Sequence, residues 1–265
     1  MPTIPSACIH IIVPTLNTFS LLPHLVQSLQ HQTWPHWRLM FIDGPSDPEH
    51  RIWLENCCLA ESRCHWVHQD SDRLGIFGAM NQGFAAAAPS DWLLFWGSDD
   101  WAASPTILAE AVEVLNQEYK GSGFPDLLVA SGRYMNLSTR ILGRLTKFRL
   151  TCSYRFALFL GSTPPHQATL IGPGARARLA RYADGFRLSA DLDYFLQLSL
   201  FDDLRVQVLD LELVHMSSGG ISGQQTQRRL QEVRHAYQRA FGWLWWFPFI
   251  ARYVRRLFSL LLDSR

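Results

Sequence analysis

Two adjacent carboxylates, Asp99 and Asp100, follow the large apolar residues of the run 92–96. A short apolar run of this kind is typical of a buried strand in a parallel sheet. Open α/β sheets bind ligands at the carboxyl ends of their strands, so we expect both acids to face a crevice. Carboxylate oxygens there suit Mg²⁺ or Mn²⁺, which proteins commonly hold together with substrate phosphates. The alternative is that the two acids only cap a helix that begins near Ser104-Pro105.

Two further acids stand at positions where a strand or a helix would present them. Asp43 follows the apolar run 38–42 and precedes Gly44, which predicts a place at the same sheet edge as Asp99. An Asp before Gly is also a frequent turn former. Asp191 lies in the first turn of a helix predicted over 188–198. It is either a helix cap, favoured by the exposed amides, or a base that the helix start holds rigidly.

Alternating apolar runs and helical patterns predict an α/β fold. Strands are expected at 9–13, where Pro14 stops the run, and at 38–42, 65–68, 92–96, 126–130, 168–171 and 206–210. Helices are expected from a Ser20 cap to Leu29, from Pro48 to Leu59, over 76–88, from Ser104-Pro105 onward, over 175–182 and over 188–198. Repeated strand–helix alternation before residue 120 predicts a Rossmann-like, mainly parallel central sheet flanked by helices.

Composition argues against several classes of protein. With 265 residues, 48% apolar and 18% charged, the chain can bury a large core and is not expected to be disordered. Its net charge of +1 argues against nucleic-acid binding through a general basic surface. The five cysteines lack paired CxxC spacing, which disfavours a zinc site or a disulfide framework and favours a cytoplasmic setting. The chain start lacks a signal-peptide pattern, and no uncharged apolar run is long enough to cross a bilayer.

Two segments outside the predicted sheet have unusual patterns. Between 132 and 165 the chain is cationic, which indicates either a solvated face or a surface for an anionic substrate or lipid. The cations are Arg133, Arg140, Arg144, Lys147, Arg149 and Arg155. Near the C-terminus, residues 243–262 combine Trp, Phe, Leu and Arg as an amphipathic helix at a membrane interface would. The alternative is a helix that packs on the main domain or on a second subunit.

Several segments, in order along residues 8–235, resemble the family 2 glycosyltransferases, which adopt the GT-A fold. Residues 9–17 are similar to the opening strand and Pro-Thr-x-Asn loop of that family, and residues 42–47 to its nucleotide-binding Asp turn. Residues 29–34 with Trp37 are similar to its Ser-x-x-x-Gln-Thr-aromatic segment. Gly75-Ile76-Phe77-Gly78-Ala79-Met80-Asn81-Gln82-Gly83 is close to the Gly-Ile-Tyr-Asp-Ala-Met-Asn-Lys-Gly pattern of transferases that assemble bacterial polysaccharides.

The resemblance implies a role for each matching residue. Nucleotide-sugar binding would involve Pro14, Thr15, Asn17, Asp43, Asp72, Arg73, Asn81 and Asp99. Asp99 would be the final acid of the metal-binding Asp-x-Asp, followed by Asp100 as a second acid. Asp191 would be the catalytic base, His166 and Gln167 would line the acceptor side, and Gly219-Gly220-Ile221-Ser222 would form a loop near the diphosphate.

The sequence departs from the family pattern at two glycines. Gly97 stands where the first acid of Asp-x-Asp is often found, so metal binding would depend on Asp99 and the phosphates. Gly78 replaces the Asp of the Tyr-Asp-Ala-Met-Asn pattern, which puts the contact of that Asp in doubt. Neither change removes the expected base, Asp191.

The function implied by the resemblance is that of an inverting glycosyltransferase. It would move a sugar from a nucleoside diphosphate sugar to an acceptor hydroxyl, with Mg²⁺ or Mn²⁺, in cell-surface polysaccharide or glycolipid assembly. The acceptor would be a sugar or a lipid-linked molecule, met at the inner face of the membrane. Residues 1–240 would form the GT-A domain, with a nucleotide-binding half to about 130 and an acceptor half over 131–240, followed by a helical tail over 241–265.

Other functions of an α/β protein are also considered. A non-catalytic sugar-nucleotide binding or scaffold subunit of the same fold is the main alternative. A nucleotidyltransferase is disfavoured because residues 14–20 contain neither glycine nor lysine. A Rossmann dehydrogenase is disfavoured because no GxGxxG motif is present.

Overall fold

The computed structural model of the protein describes residues 7–121, 123–135, 142–217 and 226–263, with the side chains at 118–121, 142, 226 and 256–263 outside the description. The strands are β1 (Ile9–Thr15), β2 (Trp37–Asp43), β3 (Cys64–His68), β4 (Trp92–Phe95), β5 (Asp100–Ala102), β6 (Leu127–Met135), β7 (Leu142–Thr146), β8 (Thr169–Ile171) and β9 (Val206–Ser217). The helices are α1 (Leu22–Gln30), α2 (Pro48–Ala60), α3 (Ile76–Ala86), α4 (Ile107–Gly121), α5 (Tyr154–Phe159), α6 (Pro173–Arg178), α7 (Ala190–Leu198), α8 (Thr226–Phe241) and α9 (Trp246–Asp263).

These strands form one sheet in the order β3-β2-β1-β4-β8-β6-β9-β5, with β7 paired to β6. Strands β3, β2, β1 and β4 are parallel, and β6 is parallel to β9, which confirms the predicted α/β sheet. Strand β8 is antiparallel to both β4 and β6. The carboxyl ends of β1 to β4, β6 and β9 therefore meet at one edge of the sheet, called here the carboxyl edge.

Helices cover both faces of the sheet and bury two hydrophobic cores. Because successive strand residues point to opposite faces, Ile11 enters the core beneath α1, α2 and α4, whereas Ile12 enters the core beneath α3 and α5 to α9. A strand covered on both faces has no solvated positions. This explains why β1, β2 and β4 read as nearly continuous apolar runs.

The element boundaries differ from the sequence prediction at several places, and the larger differences are at β1, α1, α6 and β9. Strand β1 continues through Pro14 because β4 pairs only with Ile9 to Ile12, so that Pro14 has a strand partner on one side only. Helix α1 begins at Leu22, with no side-chain cap from the predicted Ser20. Helix α6 ends at Arg178 because Leu179 is extended, and β9 continues to Ser217 because β6 and β5 pair along it.

The cationic segment after residue 132 folds into structure that the sequence did not predict. It contains the end of β6, then β7, and then α5, whose first turn is capped by Ser153 through a 3.2 Å hydrogen bond from the Phe156 amide. Arg140 lies outside the described residues.

The C-terminal tail is helical, as predicted. Helix α8 leads through a 3-10 turn (Gly242–Trp245) into α9, which packs against α5. The Phe159 and Phe247 rings stack at 4.9 Å, and Arg252 donates a 2.9 Å hydrogen bond to Thr163 Oγ1. Within the described part of the chain, no helix is both long and apolar enough to cross a membrane.

Candidate active site

The loops after β1 and β2 meet around Asp43. Its carboxylate Oδ1 accepts hydrogen bonds from Thr15 Oγ1 at 3.1 Å and from Ser46 Oγ at 2.6 Å, and His50 Nε2 lies 3.1 Å from the same oxygen. Arg51 Nε lies 3.4 Å from Oδ2. The Asp43 side chain has no exposed surface, so the predicted contact with a nucleoside would require this network to open.

A chain of hydrogen bonds runs along the carboxyl edge from β2 to β4. Ser46 Oγ accepts from the Asn17 amide at 3.0 Å, and Asn17 has the left-handed φ of 53° that asparagine tolerates. Thr18 Oγ1 donates to Ser98 Oγ at 2.8 Å, and Ser98 Oγ lies 3.4 Å from the Pro14 carbonyl. The structure thus brings Pro14, Thr15, Asn17 and Asp43 together beside the loop that carries Asp99.

Asp99 and Asp100 have different surroundings. Asp99 is half-buried and accepts a hydrogen bond from Ser217 at the end of β9. Asp100 is buried and accepts from the Gly97 amide at 2.6 Å. Burial, and secondarily the charge of Asp99, raise the pKa of Asp100 well above its usual range. Since Asp100 begins β5 and α4 starts only at Ile107, neither acid has the position of a cap for that helix.

The two carboxylates can be assessed as ligands for the predicted Mg²⁺ or Mn²⁺. Magnesium often takes one or two protein carboxylates and completes its shell with water and substrate phosphates. Asp99, which is half-buried, fits this pattern as a protein ligand, whereas Asp100 is buried and its carboxylate is bound to the Gly97 amide. No complete cluster of three His, Cys, Asp or Glu side chains occurs in the described ranges. A role for Asp99 or Asp100 in metal binding stays a prediction.

The first departure from the family pattern, Gly97, lies against the acids. A Cβ at position 97 would lie 2.9 Å from Asp99 Oδ1 and 3.4 Å from Asp100 Oδ2. An aspartate at position 97 would therefore compete with the present Asp99 conformer for the same space.

The loop between β3 and α3 carries Asp72 and Arg73, both exposed. Gln69 Nε2 closes this loop by donating to the carbonyls of Arg73 at 2.6 Å and Gly75 at 2.7 Å. A Cβ at Gly78 would lie 2.0 Å from the Arg73 carbonyl oxygen. Glycine at position 78 therefore lets the Arg73 carbonyl approach the helix closely, which a side chain would prevent. A role for Asp72 and Arg73 in nucleotide binding stays a prediction.

Asn81 fixes a distant segment of the chain. Its side-chain amide donates to the Tyr182 carbonyl at 3.1 Å and accepts from the Tyr182 amide at 2.7 Å, and the residue is buried. In this structure Asn81 therefore supports Tyr182. Its predicted contact with a sugar nucleotide remains untested.

Asp191 lies at the start of α7, close to His166 and Tyr182. His166 Nε2 and the Tyr182 hydroxyl are 2.6 Å apart, and the His166 ring stacks on Phe95 at the end of β4. Burial lowers the pKa of His166, partly offset by the negative charge of Asp191. Burial also raises the pKa of Tyr182, to which Tyr194 and Asp191 add. The charge of Asp191 thus acts on a His166–Tyr182 pair that contacts the strand preceding Asp99.

Of the remaining predicted residues, Gln167 lies at this site and the late glycine-rich loop falls outside the description. Gln167 adjoins His166, and its carbonyl accepts a 3.0 Å hydrogen bond from Trp96 Nε1. The predicted loop Gly219-Gly220-Ile221-Ser222 lies outside the described residues.

Sequence reasoning missed the polar residues that connect the loops. Ser46, Ser98 and Ser217 each bond a predicted site residue or its neighbour, and Tyr182 was assigned to a helix although it lies beyond α6. Ser46 and Ser98 could have been found because each lies within three residues of a candidate acid, Asp43 or Asp99. Tyr182 gave no local signal because its partners, Asn81 and His166, are distant in sequence.

Comparison with solved structures defines the class of fold. The S. aureus TarS structure of residues 1–349 matches with a TM-score of 0.65 at 15% identity, covering 88% of this chain and 66% of that chain. A complex of TarS with UDP-GlcNAc matches at 0.66 and 15%, covering 88% and 67%. The mannosyltransferase PcManGT from Pyrobaculum calidifontis, in complex with GDP-Man and Mn²⁺, matches at 0.60 and 14%, covering 88% and 63%. The fold is GT-A, as predicted.

Residues 10–130 match the family model of glycosyl transferase family 2. The matched region covers just under half of the chain and supports a glycosyl transferase family 2 domain there. A PGL/p-HBAD biosynthesis glycosyltransferase of Mycobacterium bovis is 29% identical over 189 residues, which cover 69% of this chain and 66% of that protein. An uncharacterized glycosyltransferase of Mycobacterium tuberculosis is 29% identical over 196 residues, covering 72% and 69%. The match to the M. bovis protein thus spans just under two thirds of its length.

Proposed function

We propose that this protein is an inverting glycosyltransferase that moves a sugar from a nucleoside diphosphate sugar to an acceptor hydroxyl, in the assembly of a cell-surface polysaccharide or glycolipid. The family-model match over residues 10–130, the solved neighbours bound to UDP-GlcNAc or GDP-Man, and the mycobacterial relative of PGL/p-HBAD biosynthesis support this proposal. The donor is expected at the loops after β1 and β2 and the acceptor beside His166 and α7.

The observation that carries the proposal is the position of Asp191. Its charge acts on His166, partly offsetting the lowering of the His166 pKa by burial, and the His166 ring stacks on Phe95 with a centroid distance of 5.6 Å. Phe95 ends β4, and the loop after β4 carries Asp99. The Asp191 charge therefore acts on a ring that stacks on the strand leading to Asp99, which supports a base and a diphosphate-side carboxylate in one cleft.

In the proposed reaction, Asp191 accepts the proton of the acceptor hydroxyl as its oxygen attacks the anomeric carbon. His166, neutral because burial lowers its pKa, is held by Phe95 and Tyr182 and orients the acceptor. Asp99 would hold Mg²⁺ or Mn²⁺, which when bound would offset charge on the diphosphate leaving group. Direct attack on one face with departure from the other gives inversion.

The proposal is tested by replacing Asp191 with Asn. Because general base catalysis contributes about 100 to 10,000-fold, Asp191→Asn should lower kcat by that range while the Kd for UDP stays unchanged. Asp184→Asn, at a nearby exposed acid paired with Arg181, is the matched control and should keep the normal rate. Transfer of radiolabelled sugar measures kcat, and a normal rate in Asp191→Asn would remove Asp191 as the base.

The metal and donor are tested at Asp99. Asp99→Asn should abolish the added thermal stabilisation that Mn²⁺ gives in the presence of UDP-sugars, because ligands that bind the native state raise its stability. Asp210→Asn changes an exposed carboxylate on β9 and should leave that stabilisation intact. Equal stabilisation of both variants would contradict metal binding at Asp99.

A non-catalytic sugar-nucleotide binding or scaffold subunit is the second candidate. The two glycine departures favour it, since Gly97 removes one potential metal ligand and Gly78 one family carboxylate. The same assays separate the two functions. Stabilisation by a nucleotide sugar, without transfer or hydrolysis across a panel of acceptors, would identify the binding subunit.

We further propose that the tail contacts the inner face of a membrane, where a lipid-linked acceptor would be found. One side of α9 packs on α5, yet large apolar side chains remain exposed along the tail: Trp243 at 80%, and Trp246, Phe247, Ile250 and Val254. Helix α5 adds exposed Arg155 and Phe156 beside them. Tryptophan and arginine next to aliphatic side chains suit a membrane interface with anionic lipid.

Vesicle binding tests the tail. The protein should sediment with phosphatidylglycerol-containing vesicles more than with pure phosphatidylcholine vesicles, and Trp243→Ser with Trp246→Ser should reduce this binding. Leu59→Ser, at an 85% exposed apolar residue at the end of α2, is the control and should bind normally. Unchanged binding of the double variant would leave the tail with a packing role only.

A further inference from the structure

Glu232 of α8 binds the segment that leads into α7. Its carboxylate accepts hydrogen bonds from three consecutive backbone amides, those of Arg187 at 3.0 Å, Leu188 at 2.7 Å and Ser189 at 3.0 Å. Arg228, one turn earlier on α8, also donates to Glu232 at 3.1 Å. Glu232 is only 8% exposed, so these charge-assisted bonds are shielded from water.

The carboxylate binds the backbone just before α7, at a helix start that has no local side-chain cap. Ser189 precedes α7 at the N-cap position, where a serine hydroxyl usually accepts from an amide of the first turn, but Ser189 makes no such side-chain bond. The segment before it contains Gly185, whose φ of 92° is left-handed. A nine-residue helix is marginal without tertiary contacts, so the direction of α7 depends on what holds its start.

A second contact between α7 and α8 lies on the other side of Asp191. Asp193, buried in the first turn of α7, accepts a hydrogen bond from Arg239 of α8. The contacts at Ser189 and Asp193 are therefore two residues before and two residues after Asp191. Helix α8 therefore contacts the start of α7 both before and after Asp191.

We propose that Glu232 is a positioning residue for Asp191. By binding the amides of Arg187 to Ser189, it fixes the rotation and depth of the α7 start and hence the place of the Asp191 carboxylate against the acceptor. This proposal rests on the proposed transferase function. Misplacement of a reacting group by about 1 Å can cost roughly 100-fold in rate, so the anchoring should appear in kcat rather than in donor binding.

The test compares Glu232 variants with a matched buried carboxylate. Asp126 also accepts a backbone amide, that of Arg205 at 2.8 Å, and pairs with an arginine, Arg178. It lies before β6 at the opposite edge of the sheet from Asp191. Asp126→Asn and Glu232→Gln should lower Tm to a similar extent, because each replaces a buried carboxylate by an amide.

The rate should separate these two variants. We expect Glu232→Ala to lower kcat roughly 10 to 100-fold, and Glu232→Gln less because its carbonyl oxygen still accepts, with the KM for donor and the Kd for UDP unchanged. Asp126→Asn should keep a normal kcat. Amide hydrogen exchange at Arg187 to Ser189 should accelerate in Glu232→Gln, which folds even if Glu232→Ala does not.

A purely structural role would give a different result. If kcat falls in proportion to Tm in both Asp126→Asn and Glu232→Gln, or stays normal in Glu232→Gln despite faster amide exchange, the positioning role is wrong. The proposed function fails separately, through a normal rate in Asp191→Asn. A low rate in Asp191→Asn with a normal rate in Glu232→Gln would keep the base and reject Glu232.

Discussion

The donor and acceptor sides of the candidate site are built in different ways. On the donor side, loops that follow neighbouring parallel strands are joined by short polar contacts around the buried Asp43 carboxylate. On the acceptor side, segments far apart in the chain meet through aromatic rings and long-range bonds, as Asn81 does with Tyr182. The donor side thus follows directly from strand order, whereas the acceptor side exists only once the second half of the chain has packed.

The first prediction tests whether the polar network stabilises the donor side. Replacing Asp43 by Ala leaves Thr15, Ser46 and the fully buried His50 without their carboxylate. Because each buried polar group left without a partner costs about 1 to 3 kcal/mol, we expect the free energy of unfolding to fall by at least about 3 kcal/mol. Asp47→Ala is the control, since the Asp47 side chain is exposed and makes no capping bond. Urea unfolding measures both variants, and a similar small loss in each would show that the network adds little.

Much of the donor side could be predicted from the sequence. Strand–loop–helix repeats place every loop after a parallel strand at the carboxyl edge. The residues predicted at this edge do lie there: Pro14, Thr15, Asn17, Asp43 and Asp99. What could not be predicted was the burial of Asp43. That burial depends on which side chains of the following helix turn back toward it, as His50 does.

The acceptor side was harder to predict because its contacts are not local. The helix that carries Asp191 was predicted from its own pattern, and it begins within two residues of the expected place. Tyr182 was assigned to a helix, but its backbone is bound to Asn81, which no local pattern could indicate. The Glu232 contact depends on α8 returning to α7 and was equally hidden.

The second prediction is that the free energy of unfolding falls at acidic pH because of a buried histidine on β1. His10 on β1 is buried, and burial lowers its pKa to about 4, with His65, Arg38 and Arg176 adding to the effect and Asp91 opposing it. The unfolded chain gains this proton near pH 6.5, whereas the folded protein does not gain it until about pH 4. Stability is therefore fully present above pH 6.5 and falls by about 3 kcal/mol as the pH drops to 4.

His10→Asn should reduce this loss. Without the ionisable ring, the dependence of the unfolding free energy on pH should decrease by about 1.4 kcal/mol per pH unit between 6.5 and 4. His31→Gln, at an exposed histidine after α1, should keep the dependence of the unaltered protein. Urea unfolding across this pH range provides the measurement, and parallel curves for His10→Asn and the unaltered protein would contradict the assignment.

The third prediction concerns Gly78, where the family pattern has an acid. A side chain there would meet the Arg73 carbonyl at 2.0 Å, so Gly78→Asp should destabilise the protein by about 1 to 3 kcal/mol and weaken UDP binding by displacing the β3–α3 loop. Ala85→Asp adds the same charge to an exposed position of α3 and should have little effect. Thermal unfolding and UDP titration test both variants, and tighter UDP binding by Gly78→Asp would mean that the loop adapts to the family acid.

The smallest effect on stability is expected at Tyr182, and it tests the acceptor side most directly. Tyr182→Phe removes the hydroxyl that lies 2.6 Å from His166 Nε2, and should cost about 1 kcal/mol of stability. Tyr194→Phe is a matched control in the same aromatic cluster, because the Tyr194 hydroxyl donates to the Leu179 carbonyl instead. If His166 orients the acceptor, only Tyr182→Phe should raise the KM for acceptor or lower kcat, by roughly tenfold for each 1.4 kcal/mol of transition-state stabilisation lost. Equal rates in the two variants would show that the His166–Tyr182 contact only supports the fold.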